Sequence, residues 1–103
     1  MEMHDAKRVE IMIERIMERR LTDLLTETGV TGFSILPVKG GSGRSGLWSR
    51  EGQIGRADGM SCVVCLVKPE RLEPLLEAVL SVLDRHIGVV NVTDAQVLRA
   101  ERF

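Results

Sequence analysis

The spacing between apolar residues switches several times between two and about 3.6 along this chain, and the order of these switches strongly constrains the fold. The shorter period is typical of a strand with one buried face, and the longer period of an amphipathic helix. The 103 residues suffice for one domain with a single core. The predicted order is strand Lys7–Ile13, helix Ile16–Thr28, strands Thr31–Val38 and Met60–Val67, helix Glu70–Leu83, and strands Ile87–Val92 and Ala95–Leu98.

This βαββαβ order, with a short last strand, predicts an α+β fold of the ferredoxin-like type, a two-layer sandwich in which both helices cover one face of a sheet. Gly29 follows the first helix at the position that favours left-handed backbone. Pro37 lacks an amide hydrogen, so its strand is expected at an edge of the sheet or with its N–H side unpaired. Pro74 predicts an irregular first turn or a slight bend in the second helix. Residues 1–6 are expected to form a flexible N-terminus.

The strand Met60–Val67 is apolar on both faces, which indicates that the sheet face without helices is also covered. The predicted fold places both helices on one face, so we expect another subunit on the other. Cys62 and Cys65 lie three residues apart on this strand, and we expect them on opposite faces as buried thiols rather than as a redox pair. Only His4 and His86 could complete a zinc site, so no metal is predicted.

Charge and hydropathy argue against several classes of protein. With 14 Lys and Arg against 15 Asp and Glu, the formal net charge is −1, which argues against general binding of nucleic acid. No run approaches the ~20 apolar residues of a membrane span, and the N-terminus lacks the apolar core of a signal peptide. We therefore expect a cytoplasmic protein without direct membrane insertion.

A glycine-rich segment follows the second predicted strand. Four of the eight residues from Lys39 to Gly46 are glycine, and the loop from Lys39 to Asp58 carries four cationic and two anionic side chains. Glycine lets backbone amides converge on an anion, and arginine can form a two-pronged contact to phosphate. Either this loop binds a phosphate or carboxylate, or it is a plain disordered hairpin loop.

Two common phosphate-binding motifs do not fit this segment. Gly41–Gly46 has the spelling G-x-G-x-x-G, but no helical pattern follows it, as a dinucleotide-binding fold requires. The chain contains no Gly-Lys-Ser or Gly-Lys-Thr, which argues against a Walker A loop. The loop therefore calls for another interpretation.

The loop and the residues before it resemble the PII signal-transducer family. The matching residues are Gly29, Thr31, Gly32, Val38, Lys39, Gly40, Gly43, Arg44 and Gly46. The resemblance extends over nearly the whole chain, from Lys7 to Phe103, in the order and number of elements. It implies a homotrimer with adenine nucleotides in the clefts between subunits. It also makes residues 39–58 the T-loop, which changes shape with the bound effector and docks on a partner protein.

The resemblance further implies a nucleotide site built from three segments: the T-loop base, a B-loop before the fourth strand, and a C-loop within residues 94–103 that brings arginines from the neighbouring subunit. The candidate nucleotide-binding residues are Lys39, Gly40, Gly41, Ser42, Gly43, Arg44, Arg50, Arg85, His86, Ile87, Gly88, Val89, Val90, Arg99 and Arg102. For Arg85 and His86 the alternative is a solvated helix end, and for Arg99 and Arg102 a solvated tail.

The chain departs from classical PII proteins in ways that favour fewer phosphates. It has no tyrosine to modify, its B-loop lacks the family's usual lysines, and Glu101 stands where an arginine is expected. In this it resembles the divergent PII-like branch found with bicarbonate transporters and carboxysomes, whose members bind ADP, AMP or cyclic AMP, some with bicarbonate. The resemblance implies ADP or AMP as effector, cyclic AMP or ATP as alternatives, bicarbonate at Lys39–Gly43, and no tightly bound cofactor.

The regulated partner implied by that branch is a bicarbonate transporter or a carboxysome-linked protein. We expect Trp48 to dock on it, because exposed aromatic side chains dominate interface hot spots, or else to fold back onto the trimer. Two other classes of function remain open. A weak nucleotide phosphohydrolase could use His86 as general base, although no paired carboxylates accompany it and we assign no catalytic residue. A structural trimer of the CutA type would share the architecture without needing the glycine loop.

Overall fold

A four-stranded antiparallel sheet carries two α-helices on one face. The computed structural model describes residues 1–43, 46–49, 59–84, 86 and 88–99. Its elements are β1 (His4–Glu14), α1 (Glu18–Glu27), β2 (Phe33–Pro37), β3 (Gly40–Gly43), β4 (Gly46–Ser49), β5 (Met60–Val67), α2 (Leu72–Leu83) and β6 (Gly88–Val97), with 3-10 helices at Arg15–Met17 and Pro69–Arg71. The spatial strand order is β2-β5-β1-β6, and β3 and β4 form a separate ribbon. The ferredoxin-like prediction is confirmed.

The alternation in β1 places its odd-numbered residues beneath the helices. Val9, Ile11 and Ile13 are fully buried and belong to one apolar cluster with Leu21 and Leu25 of α1. Burying a side chain of this size stabilises a fold by about 1.5–3 kcal/mol, so this cluster ties the helix layer to the sheet. Neither α1 nor α2, nor any other helix in the described ranges, is long and apolar enough to cross a membrane.

The prolines and the turn glycine lie where the sequence predicts them. β2 is an edge strand, as Pro37 requires. A 3-10 turn precedes α2, and Pro74 is the third residue of α2, where its missing amide hydrogen would have no acceptor within the helix. Gly29, just after α1, has φ of +87°.

Two strands are longer than the sequence analysis predicts. β1 begins at His4 instead of Lys7, and β6 is one continuous strand instead of two. The polar pair Thr93 and Asp94 looks like a break, but it continues the ladder opposite β1. Lys7 Nζ lies 2.5 Å from Asp94 Oδ1, so a cross-strand ion pair stabilises the place where polarity suggested an end.

The sheet face opposite the helices is partly apolar. Its apolar side chains include Met12, Leu36, Cys62, Val64, Leu66 and Val89. In the described chain Leu36 is 44% exposed and Val89 61%. Between them Glu10 accepts a hydrogen bond from Asn91 Nδ2 at 3.0 Å and one from Arg8 at 3.4 Å, and these bonds hold the pKa of the Glu10 carboxyl below its usual value. We call this surface the open face.

The two cysteines lie on opposite faces of β5, as predicted. Both thiols are free and buried. Cys65 belongs to the core under the helices, where burial raises its pKa to about 11. Cys62 lies on the open face, and burial together with the nearby Glu10 carboxylate raises its pKa too. Because the thiolate is the reactive form, neither cysteine is activated for chemistry at neutral pH.

Candidate functional site

The base of the glycine loop lies at the end of the sheet where β1 ends and β6 begins. Pro37, the last residue of β2, pairs with Ser61, and the neighbouring Met60 pairs with Glu14 of β1. On the other side of β1, Gly88 pairs with Ile13. The fold therefore brings the T-loop base and the predicted B-loop to one end of the sheet, which we call the loop end.

The first part of the loop is a two-stranded ribbon. β3 pairs with β4 in antiparallel register, with Gly41 opposite Trp48 and Ser42 opposite Leu47. No strand was predicted between Val38 and Met60, and glycine is unfavourable in strands. The ladder forms nonetheless, and Lys39, Gly40, Gly41 and Ser42 remain exposed beside it. The predicted site residues Arg44 and Arg50 lie outside the described residues.

The returning end of the loop is attached to the start of the helix layer. Gly59 has φ of +90°, and its carbonyl accepts a hydrogen bond from the amide of Arg15 at 3.2 Å. Next to it the hydroxyl of Ser61, which is fully buried, donates to Glu18 Oε1 at 2.5 Å. Both ends of the loop therefore start from fixed positions on the sheet, which gives a ligand at the loop base a rigid platform.

A tight turn connects α2 with β6 at the same end. The amide of His86 donates to the carbonyl of Leu83 at 2.9 Å, and His86 Nδ1 lies 3.6 Å from Glu14 Oε1. The imidazole is half-buried against this carboxylate, so His86 is not a simple solvated helix end. Arg85 and Ile87, the other predicted residues of this turn, lie outside the described part of the chain.

Gly88 is held in a space too small for a side chain. A methyl group on its Cα would lie 2.8 Å from Leu83 Cδ2 and 2.9 Å from the carbonyl oxygen of Met12. The two valines that follow diverge, because Val90 packs against the helix-side core and Val89 points to the open face. The glycine therefore lets the turn lie directly on β1.

We expect Gly88→Ala to lower the free energy of unfolding by about 1–3 kcal/mol, because the Met12 carbonyl cannot retreat without disturbing the β1–β6 ladder. Thermal denaturation measures the effect. Gly32→Ala is the control, since no atom lies within 4 Å of the added methyl group and Gly32 has no positive φ. Equal melting temperatures for the two variants would contradict this packing.

Arg99 lies at the opposite end of the sheet from the loop base. β6 runs from Gly88, which pairs with Ile13, to Val97, which pairs with His4. A strand of ten residues is about 30 Å long, so within one chain Arg99 cannot reach a ligand at Lys39–Gly43. Arg102 is outside the described residues. The chain thus brings together the T-loop base and the B-loop turn, but not the C-loop.

A cleft at that opposite end was not assigned as a site by the sequence analysis. It has a volume of about 760 Å³ and lies between the α1–β2 turn and the segment that joins β5 to α2. The residues that line it are Thr28, Gly29, Val30, Thr31, Leu66, Val67, Lys68, Glu70, Arg71, Pro74 and Leu75. The volume suits a small ligand. The sequence feature that could have pointed to this cleft is the motif G-x-T-G at Gly29–Gly32, which contributed to the family resemblance but was not assigned to a site.

The chemistry available in the described residues is that of binding. The loop end presents exposed glycine backbone and Lys39, which suit an anion. No three His, Cys, Asp or Glu side chains of the described ranges are grouped so that they could hold a metal ion. The carboxylates nearest the loop are engaged, Glu14 with His86 and Glu18 with Ser61.

The fold and the loop define a ferredoxin-like domain with a long glycine-rich loop after the second strand, fixed at both ends on the sheet, a position where binding residues are often found. Comparison with family models narrows this class to one family. The model for nitrogen regulatory protein P-II matches residues 6–102, and the chain belongs to this family. The resemblance noted from the glycine loop is therefore confirmed.

Solved structures agree with this assignment. CPII, a nitrogen regulatory PII-like protein from Thiomonas intermedia K12, is 31% identical; its structure bound to ADP, AMP and bicarbonate superposes with a TM-score of 0.88 over 99% of this chain and 96% of that chain. A PII-like signalling protein from Thermus thermophilus is 21% identical, with a TM-score of 0.79 over 100% and 99%. CutA1 from Oryza sativa is 14% identical, with a TM-score of 0.66 over 95% and 86%. The last two share the fold. Among curated proteins, no significant match is found.

Proposed function

We propose that this chain is a cytoplasmic signalling protein that forms a homotrimer and binds ADP or AMP between subunits, together with bicarbonate. Through its loop it would dock on a partner and regulate inorganic-carbon uptake or metabolism. The observation that carries the proposal is the division of the candidate residues between the two ends of one chain: Lys39–Gly43 and His86–Gly88 at one end, Arg99 at the other.

A site divided in this way can be completed only by a second copy. If the loop end of one subunit meets the Arg99 end of the next, the contact is head-to-tail, and head-to-tail contacts generate closed rings when the rotation closes. A ring of three then contains three equivalent sites. The family membership supports this arrangement, since the PII resemblance implies a trimer.

The open face supports the same assembly. Its apolar residues, with Leu36 and Val89 each more than two-fifths exposed, leave a patch that a single chain does not cover. The described part of the chain has only α1 and α2 to pack on the sheet, and both lie on the other face. In a ring of identical subunits, symmetry would place neighbouring copies of the chain against the open face.

The ligand follows from the two half-sites. The cleft at the Arg99 end combines apolar Val30 and Leu75 with polar Thr28, which suits a purine base and its ribose. The glycine amides and Lys39 of the neighbouring loop end suit phosphates and a small anion. CPII, at 31% identity, is bound to ADP, AMP and bicarbonate. We infer the same class of ligands here.

The register of the ribbon suggests how a ligand would reach the partner. Gly41 lies opposite Trp48, so a ligand that orders β3 also orders the strand that carries Trp48. Fixing a residue costs about 1–2 kcal/mol, and two weak ligands that order the same ribbon share this cost. A nucleotide and bicarbonate would therefore bind cooperatively and present Trp48 to the partner.

Calorimetric titration tests the proposal. We expect ADP and AMP to bind, and bicarbonate to tighten binding about 5- to 150-fold, the usual range of coupling between sites. Chloride at equal ionic strength is the control, because it gives the same screening of charges without offering a planar anion. The same titrations with ATP and cyclic AMP establish the preferred nucleotide.

Two other outcomes would overturn the proposal. Indifference to every nucleotide would leave a structural trimer, a function compatible with the fold that CutA1 shares. Release of phosphate that is lost in His86→Ala would make the chain a phosphohydrolase.

A further inference from the structure

The cleft between the α1–β2 turn and the start of α2 has two walls that are far apart in sequence. One wall is the turn Thr28–Thr31, and the other is Lys68–Leu75. Both walls reach the surface of the single chain, so the width of the cleft depends on the contacts that join them. One such contact is made by a single long side chain.

Arg71 crosses from one wall to the other. Its Nη1 donates a hydrogen bond to the carbonyl of Gly29 at 3.2 Å, over 42 residues of sequence. Gly29 has φ of +87°, and a methyl group on its Cα would lie 3.1 Å from the same nitrogen, so the guanidinium rests directly on the turn. This bond therefore ties the second wall to the turn.

Arg71 also supplies what the end of α1 lacks. The amides of Thr28, Gly29 and Val30 donate back to carbonyls of the helix, at 2.9, 3.1 and 3.1 Å. The carbonyl of Gly29, which follows α1, accepts its hydrogen bond from Arg71. α1 has no basic residue in its own last turn. A cation beside a helix C-terminus is favourable, and here it comes from the opposite wall of the cleft.

We infer that Arg71 is a positioning residue, which holds the turn Gly29–Thr31 at the distance from Lys68–Leu75 that a nucleoside requires. This inference rests on the proposed function for the identity of the ligand. The new element is that nucleotide affinity depends on the Arg71 guanidinium, although this group binds the backbone of the turn and not the ligand. A turn held in the bound conformation loses less freedom on binding, and therefore binds more tightly.

Three variants separate positioning from charge. Arg71→Met removes the bond and the charge, Arg71→Lys keeps the charge and an N–H donor, and Arg20→Met removes an exposed cation of α1 that does not line the cleft. We expect Arg71→Met to weaken ADP binding about tenfold, Arg71→Lys to retain most of the affinity, and Arg20→Met to change it less than about twofold. All titrations are run at about 0.3 M salt, which screens exposed charges.

Hydrogen exchange without nucleotide supplies a readout independent of ligand binding. We expect Arg71→Met to accelerate exchange of the amides of Gly29 and Val30 at least about fivefold, and to leave the amides of β1 and β5 unchanged. A general loss of stability would accelerate exchange throughout the core instead, and would overturn the inference.

The failure of this inference can be told from failure of the proposed function. If the unmodified chain binds no nucleotide, the proposed function is wrong, and unchanged exchange in Arg71→Met then overturns the positioning role as well. If the unmodified chain binds ADP and Arg71→Met binds it equally well, only the positioning role is wrong. If Arg20→Met weakens binding as much as Arg71→Met, the effect is one of net charge, and positioning is again overturned.

Discussion

Leu36→Glu is expected to convert trimers of this chain into folded monomers. In the single chain this side chain is 44% exposed on the open face, so a monomer can carry the carboxylate at little cost. When another copy covers the face, the charge is buried without a partner. Leaving a buried charge uncompensated costs about 3–5 kcal/mol, and a trimer would contain three of them. Light scattering would then report a mass near 11.4 kDa instead of three times that value.

The matched control for this substitution is Leu80→Glu. Leu80 lies on the outer side of α2 and is 58% exposed, so the same charge is introduced at similar exposure on the other side of the molecule. This variant should keep the mass of the unmodified protein. If Leu36→Glu also keeps that mass while circular dichroism shows a folded chain, the open face is not the subunit interface.

The fold was predictable because each buried element keeps a simple period. β1 alternates strictly, and its buried residues Val9, Ile11 and Ile13 can be identified from the sequence alone. The same reasoning failed where polar residues pair with each other. Thr93 and Asp94 continue β6 because Arg8 and Lys7 lie opposite them, and a rule that ends strands at polar residues cannot detect a partner so distant along the chain.

The site was less predictable, because it depends on how closely distant segments approach. The loop could be recognised from its glycines and cations. The ribbon within it could not, because the ribbon depends on the register between Gly41 and Trp48. The lack of space for a side chain at Gly88 results from its position over Met12. The two walls of the cleft are joined by the hydrogen bond from Arg71 to Gly29. None of these distances has a local signature in the sequence.

The division of the site between subunits makes a second strong prediction, which uses two variants that are each defective. Lys39→Ala removes a cation at the loop end, and Arg99→Ala removes one at the opposite end. A hydrogen bond to a charged group contributes about 1.5–3 kcal/mol, so each variant alone should bind ADP about 10- to 100-fold more weakly. The melting temperature should change little, since both side chains are exposed.

Mixed trimers of these two variants should recover binding sites. When the chains are unfolded and refolded together at equal amounts, about a quarter of the head-to-tail interfaces combine an unmodified loop end with an unmodified Arg99. Calorimetry should find that fraction of sites at the affinity of the unmodified protein. A mixture of Lys39→Ala with His86→Ala is the control. Both substitutions lie in the loop-end half of the site, so every interface of this mixture contains one substituted loop end. If the two mixtures behave alike, the nucleotide does not bind between subunits in this way, because only a site shared by two chains can be rebuilt from two defective ones.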